Sequence, residues 1–133
     1  MNDRFKFRVW DKGNKRYQGT QDWQPYLDSD GDVCFINTDD VRNYPPENYF
    51  IIEQCTGLKD KNGNLIYEGD IVKIPDDYET YGFMSGEKRE VYFRDGGFRL
   101  KPKDEKLGRG HWLEQTSDLE IIGNIHEQAA QKE

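Results

Sequence analysis

Tyr49-Phe50-Ile51-Ile52-Glu53-Gln54-Cys55-Thr56-Gly57-Leu58-Lys59-Asp60-Lys61-Asn62-Gly63-Asn64-Leu65-Ile66-Tyr67-Glu68-Gly69-Asp70-Ile71-Val72-Lys73-Ile74 carries the signals that decide the fold. Residues 49–55 read as a largely apolar strand candidate without alternation, which predicts a strand placed centrally in its sheet. Asn62-Gly63 follows, and both residue types tolerate positive φ, so the pair predicts a type I′ hairpin turn. Residues 65–67 and 71–74 then read as two strands on either side of Glu68-Gly69-Asp70. That tripeptide predicts a tight bend, with Gly69 free to take positive φ and Asp70 able to accept backbone N–H bonds.

The same grammar extends in both directions. Upstream, Phe5, Phe7 and Val9 alternate with Lys6, Arg8 and Trp10, the period of a half-buried strand. A turn over residues 11–14 brings Arg16-Tyr17-Gln18 back beside it. A second hairpin joins Tyr26-Leu27 to Val33-Cys34-Phe35-Ile36 through Asp28-Ser29-Asp30-Gly31-Asp32. Thr38 is expected to cap a helical turn through Val41, which Pro45-Pro46 stops. Downstream, residues 75–88 read as a mobile loop. Val91 and Phe93 alternate with Glu90, Tyr92 and Arg94, then Asp95-Gly96-Gly97 turns the chain into Phe98-Arg99-Leu100-Lys101, the clearest hairpin in the sequence. Residues 101–110 form a polar, basic loop, and 119–122 are the last strand. Asn124 with Glu127 predicts a capped, short C-terminal helix. The expected fold is therefore all-β, antiparallel hairpins forming a small barrel-like or sandwich core. One domain is expected over residues 1–127, with a tail at 128–133.

At 133 residues the chain is long enough for a real core without metals or disulfides. Its net charge of −7 favours solubility and works against a general affinity for phosphate backbones. No apolar run approaches the ~20 residues of a membrane span, and the N-terminus lacks the apolar centre of a signal peptide. The expectation is a cytoplasmic protein whose Cys34 and Cys55 stay as buried free thiols.

Known chemical signatures are missing from the sequence. The Asp28–Asp32 and Asp60–Asn64 stretches place Gly at position four rather than at the sixth position of a calcium loop, so both read as hairpin turns. His111, His126, Cys34 and Cys55 lack zinc-ligand spacing. Glu68 and Asp70 flank Gly69 and could be imagined as an acid/base pair, but a turn explains them. There is no nucleophile elbow, phosphate loop or dinucleotide fingerprint. No catalytic residue, cofactor or metal is therefore assigned. Lys101, Lys103, Lys106, Arg109 and His111 lie near Trp112, a mixture of cations and an aromatic suited to single-stranded nucleic acid.

Several blocks together resemble the YopX proteins of phages and bacterial prophages. They are Phe7-Arg8-Val9-Trp10-Asp11, Cys55-Thr56-Gly57-Leu58-Lys59-Asp60-Lys61-Asn62-Gly63, Ile66-Tyr67-Glu68-Gly69-Asp70-Ile71-Val72 and Ile121-Ile122-Gly123-Asn124-Ile125-His126-Glu127. The order is kept from residue 5 to about 127. The resemblance implies an all-β fold, expression inside a bacterium, and no established activity or catalytic set. Val9 and His126 depart from the usual Ala and aromatic of the family. The signature residues Gly57, Asn62, Gly63, Gly69, Asp70, Gly123 and Asn124 read as turn architecture.

Three function classes follow, in this order. The first is a non-catalytic protein-interaction module acting on a host or phage protein, with homo-oligomerisation through sheet edges as a related expectation. The second is a nucleic-acid-binding small barrel using the 101–112 loop. The third is an enzyme of unrecognised type.

Overall fold

Residues 5–17, 23–37, 42–43, 50–104, 106, 108, 110–114 and 116–127 are described by the computed structural model. They form twelve strands: β1 (Phe7–Asp11), β2 (Arg16–Tyr17), β3 (Trp23–Leu27), β4 (Val33–Asn37), β5 (Arg42–Asn43), β6 (Phe50–Lys59), β7 (Leu65–Tyr67), β8 (Asp70–Lys73), β9 (Lys88–Arg94), β10 (Gly97–Leu100), β11 (His111–Trp112) and β12 (Glu120–Asn124). A single turn of α-helix, α1 (Tyr78–Tyr81), lies between β8 and β9. The protein is mostly β, as its sequence predicts, and its antiparallel sheets include one curled as a half-barrel. The chain groups into two compact units, Phe7–Glu53 and Gln54–Glu133 with Met1–Lys6.

In the smaller unit β1 and β2 pair antiparallel, Trp10 opposite Tyr17 and Asp11 opposite Arg16. Asp11 Oδ1 accepts the N–H groups of Gly13 and Asn14, which fixes the turn. β3 pairs β4 in the register the hairpin reading requires, Tyr26 opposite Cys34 and Leu27 opposite Val33. β5, a strand absent from the sequence reading, pairs β4 on its other edge. Phe35 is buried and its ring lies 5.0 Å from that of Phe50. Glu53 is 3% exposed, and its Oε1 accepts from Arg8 Nε and from the Tyr17 hydroxyl, each at 2.7 Å. A buried carboxylate is tolerated because those charge-assisted bonds replace its hydration. The helical turn expected over residues 38–41 and the prolines at 45 and 46 lie outside the described residues.

In the larger unit the core consists of Ile66, Val72, Ile74, Val91, Leu100 and Leu119. Burying each such side chain contributes about 1.5–3 kcal/mol. A five-stranded sheet in the order β11-β10-β9-β8-β12 supplies Val72, Val91 and Leu100, while Ile74 and Leu119 lie just past the end of β8 and just before β12, and Ile66 comes from β7. β6 runs longer than the apolar run suggests, because residues 56–59 continue the strand through an irregularity between Cys55 and Lys59. Gly57 has φ +82° there, and Thr56 Oγ1 donates to Ile66 O at 2.8 Å across the interrupted ladder.

The Asn62-Gly63 turn differs from the type I′ expectation. Gly63 has φ +81°, but Asn62 is not in the positive-φ region. Gly63 N–H donates to Asp60 O at 3.0 Å, and Asp60 N–H donates to Asn64 O at 2.8 Å. This is the longer loop in which a turn is followed by one left-handed residue. The Asp60 side chain explains the choice, since its Oδ1 accepts from Asn62 and Asn64 N–H and holds the turn open by one residue. The two-residue turn with both φ positive occurs instead at Asp95 (+53°) and Gly96 (+84°).

The segment 75–88, read as a mobile loop, is built. Asp77 caps α1, a 3-10 turn Gly82–Met84 follows, and Ile74 N–H donates to Glu87 O at 2.8 Å across its base. Ile125–Glu127 are helical, and Asn124 Oδ1 accepts from His126 and Glu127 N–H at 3.0 Å each, as the capping reading requires; the tail expected at 128–133 lies outside the described residues. No helix among the described residues is long and apolar enough to cross a membrane.

Candidate functional site

The signature carboxylates are occupied by backbone. Asp70 is buried, and its Oδ2 accepts the Tyr67 N–H at 2.8 Å. Glu68 Oε1 accepts the Gln54 N–H at 2.9 Å. Gly69 takes φ +89°, its N–H donates to Val91 O at 2.7 Å, and its carbonyl accepts from Ile125 at 2.9 Å. The Glu68-Gly69-Asp70 bend thus carries the chain from β7 to β8 and ties β9 and Ile125 to that corner. Asp60, 4% exposed, accepts three backbone N–H groups, from Asn62 and Asn64 at Oδ1 and from Ile121 at Oδ2. Burial pushes its carboxyl up, but these donors outweigh burial and hold it below the ordinary carboxylate value. Cys34 and Cys55 are both buried and unbridged. Among the described residues no group of three or more His, Cys, Asp or Glu side chains could hold a metal ion.

The sequence-selected cations divide. Lys101 lies beside the sheet, with Nζ 3.8 Å from Glu90 Oε1 and 5.9 Å from the centre of the Tyr92 ring. Lys103 reaches Glu87 Oε1 at 3.4 Å. Glu87 is held below its ordinary value by its hydrogen bond to Arg89, against the opposing effect of burial. Lys106 is exposed in the loop, and Arg109 lies outside the described residues. Trp112 is in β11, opposite Arg99, rather than in the loop or the core.

Strand register assembles a surface that the loop reading missed. Arg99 is opposite both Tyr92 and Trp112, and Gly97 is opposite Arg94. Directly opposed residues share a face and alternate residues along a strand return to it. Lys88, Tyr92, Arg94, Arg99 and Trp112 therefore stand on one face of β9–β11, with Lys101 just past the end of β10. The Arg99 Cζ lies 3.7 Å from the Trp112 ring centre. Its guanidinium also donates to Arg94 O at 3.2 Å and Gly110 O at 3.3 Å. A Cβ added to Gly97 would fall 2.2 Å from Trp112 Cζ3, so the indole lies directly on that glycine. Both contacts come from β10 beneath the ring, and Trp112 is still 53% exposed. The period-2 spacing of Tyr92 and Arg94, and of Arg99 and Lys101, was the signal that could have located this face.

A second surface belongs to the built segment. Tyr81 and Met84 pack against the core, and the Tyr81 hydroxyl donates to Asp118 Oδ2 at 3.0 Å. Burial, then that bonded carboxylate, pushes the Tyr81 hydroxyl up. Tyr78 and Phe83 point the other way, 64% and 88% exposed, their rings 5.9 Å apart and edge to face.

These features define a class first: a mostly antiparallel β protein whose signature acids serve its turns. The chain belongs to the YopX family, described as YopX protein, which matches residues 6–130. It is similar to the crystal structure of protein EF1440 from Enterococcus faecalis, with 27% identity, a TM-score of 0.58, and coverage of 96% of this chain and 97% of that one. It is also similar to the X-ray structure of protein yopX from Bacillus subtilis, with 25% identity, a TM-score of 0.61, and coverage of 96% and 95%. No curated protein matches it.

Proposed function

We propose that this chain is a non-catalytic protein-interaction module whose contact surface is the Tyr78–Phe83 pair. The observation that carries the reading is the exposure of Phe83, 88%, on a segment that is otherwise tied down. A scattered exposed apolar residue is ordinary, but two aromatics held edge to face on an anchored turn form a patch. Aromatic anchors of this kind fill apolar pockets on a partner and dominate binding energy. The base of the segment is clamped by backbone bonds, so little ordering remains to oppose association. The partner is a host or phage protein presenting an apolar pocket, met in the cytoplasm of a bacterium carrying a phage or prophage. The resemblance to phage and prophage proteins and the bacterial sources of the two solved relatives support that setting.

The test compares the wild-type chain with Phe83→Ala in quantitative capture from bacterial lysate, followed by a binding isotherm with the purified captured protein. Loss of a hot-spot Phe is expected to weaken that isotherm by about 2 kcal/mol, a factor of roughly 30. The melting temperature should hardly move, because an exposed side chain contributes within about 0.5 kcal/mol to stability. Identical isotherms for the two proteins would refute the reading. If light scattering shows self-association that Phe83→Ala abolishes, the partner is a second copy of the chain.

A further inference from the structure

We infer that the outer face of β9–β10–β11 is a second binding surface, for single-stranded nucleic acid, with Trp112 as the stacking platform for a base. It is separate from the Tyr78–Phe83 patch and stands on different residues.

The first argument is the state of the ring. Trp112 rests on Arg99 and Gly97 with its outer side open. A tryptophan seated in this way has already lost its rotamer freedom in the unbound protein. A base stacking on the open side therefore meets a prearranged partner. The guanidinium beneath adds positive charge to the ring's inner side and strengthens attraction for an electron-rich base above it. Gly97 is what allows the ring to lie down, since any larger residue would collide with Cζ3.

The second argument is charge. The chain carries −7 in total, yet this face carries Lys88, Arg94 and Lys101 around a buried Arg99, with Arg94 Nε 3.6 Å from the Asp95 carboxylate at the adjoining turn. Glu90 is the carboxylate among the residues that alternate onto the same face of β9, and Lys101 pairs with it at 3.8 Å. Cations that gather on one sheet face of an acidic protein mark that face for a polyanion. An acidic peptide would use the cations but not the open ring. A duplex would meet the cations but keep its bases stacked inside, out of reach of Trp112. A single strand uses both, with phosphates on the cations and a base on the indole.

The experiment is fluorescence anisotropy with labelled oligo-dT of about 20 nucleotides at low salt, with a duplex of equal length and heparin as comparators. Oligo-dT is expected to bind in a salt-dependent way and more tightly than either comparator. Trp112→Ala should weaken binding roughly tenfold, while Trp112→Phe keeps most of the affinity. Gly97→Val, which displaces the indole without removing it, should act like Trp112→Ala. Arg94→Glu, an exposed change that leaves the ring's seat intact, should weaken binding severalfold and lower the salt slope by about one. Circular dichroism confirms that each variant is folded, and Arg94→Glu carries the test if a Trp112 variant is not. No binding to oligo-dT, equal binding of duplex or heparin, or affinity unchanged in Trp112→Ala and Arg94→Glu would each overturn the inference.

Discussion

Asp60 shows how one side chain can settle a local structure and a long-range one together. Its Oδ1 shapes the 60–64 loop, and its Oδ2 accepts from Ile121, the second residue of β12. Lys61 reinforces the same junction, its N–H donating to Leu119 O at 2.8 Å and its Nζ lying 3.0 Å from Glu120 Oε2. Asp28 makes the same pair of local bonds, to Asp30 and Asp32 N–H, in an exposed loop. Asp60→Ala is expected to cost about 2–4 kcal/mol, because it strands three donors, one of them in a strand junction. Asp28→Ala should cost about 1 kcal/mol, since water can replace its bonds. Urea unfolding of the two variants measures the difference, and equal losses would show that the Ile121 bond does not matter. The local role of Asp60 was legible in Asp60-Lys61-Asn62-Gly63. Its bond to Ile121 was not, because nothing within a few residues of it indicates a partner 61 positions away.

At the scale of the element, the hairpins separate turns that look alike in sequence. Asp95-Gly96 and Asn62-Gly63 are both strong turn dipeptides, but only Asp95 takes positive φ. A β-branched residue is strained in that conformation. Asp95→Val is therefore expected to lose about 1–2 kcal/mol, and Asn62→Val about 0.5 kcal/mol or less. Thermal denaturation of both variants decides this, and a greater loss for Asn62→Val would contradict the turn assignment. The segment 75–88 teaches a related lesson. Its composition signals a loop, and a single helical turn is too short to have a periodicity. Tyr81 and Met84 gain order only by reaching a core made elsewhere.

Across the whole molecule, each compact unit contains a buried acid that serves a turn, Asp11 in the smaller and Asp60 in the larger. Burial pushes the Asp11 carboxyl up, but its bonds to Asn14 and Gly13 prevail and hold it below the ordinary value, as happens for Asp60. An acid whose folded pKa is depressed binds fewer protons folded than unfolded. The stability it gives is complete above the unfolded value, about 3.9, and is lost as pH falls through the lower folded value. The urea midpoint should thus hold steady near neutrality and fall below about pH 4. Asp11→Asn and Asp60→Asn should each be less stable at pH 7 and flatten that acid limb. A midpoint independent of pH in the wild type would exclude this linkage.

Sequence alone determined the strand-rich class, the family, most hairpin positions and the residues that make the turns. Those properties come from alternation, turn chemistry and caps, which act over a few residues and leave a local trace. Tertiary structure decided the rest: β5, the bulged continuation of β6, the anchoring of residues 75–88, and above all the neighbours of Trp112. In the chain that residue stands beside Lys106 and His111, and the basic loop looked like its setting. Sheet register instead sets it on Arg99 and Gly97, thirteen and fifteen residues back, because pairing across strands joins residues by their place in the ladder and not by their distance along the chain.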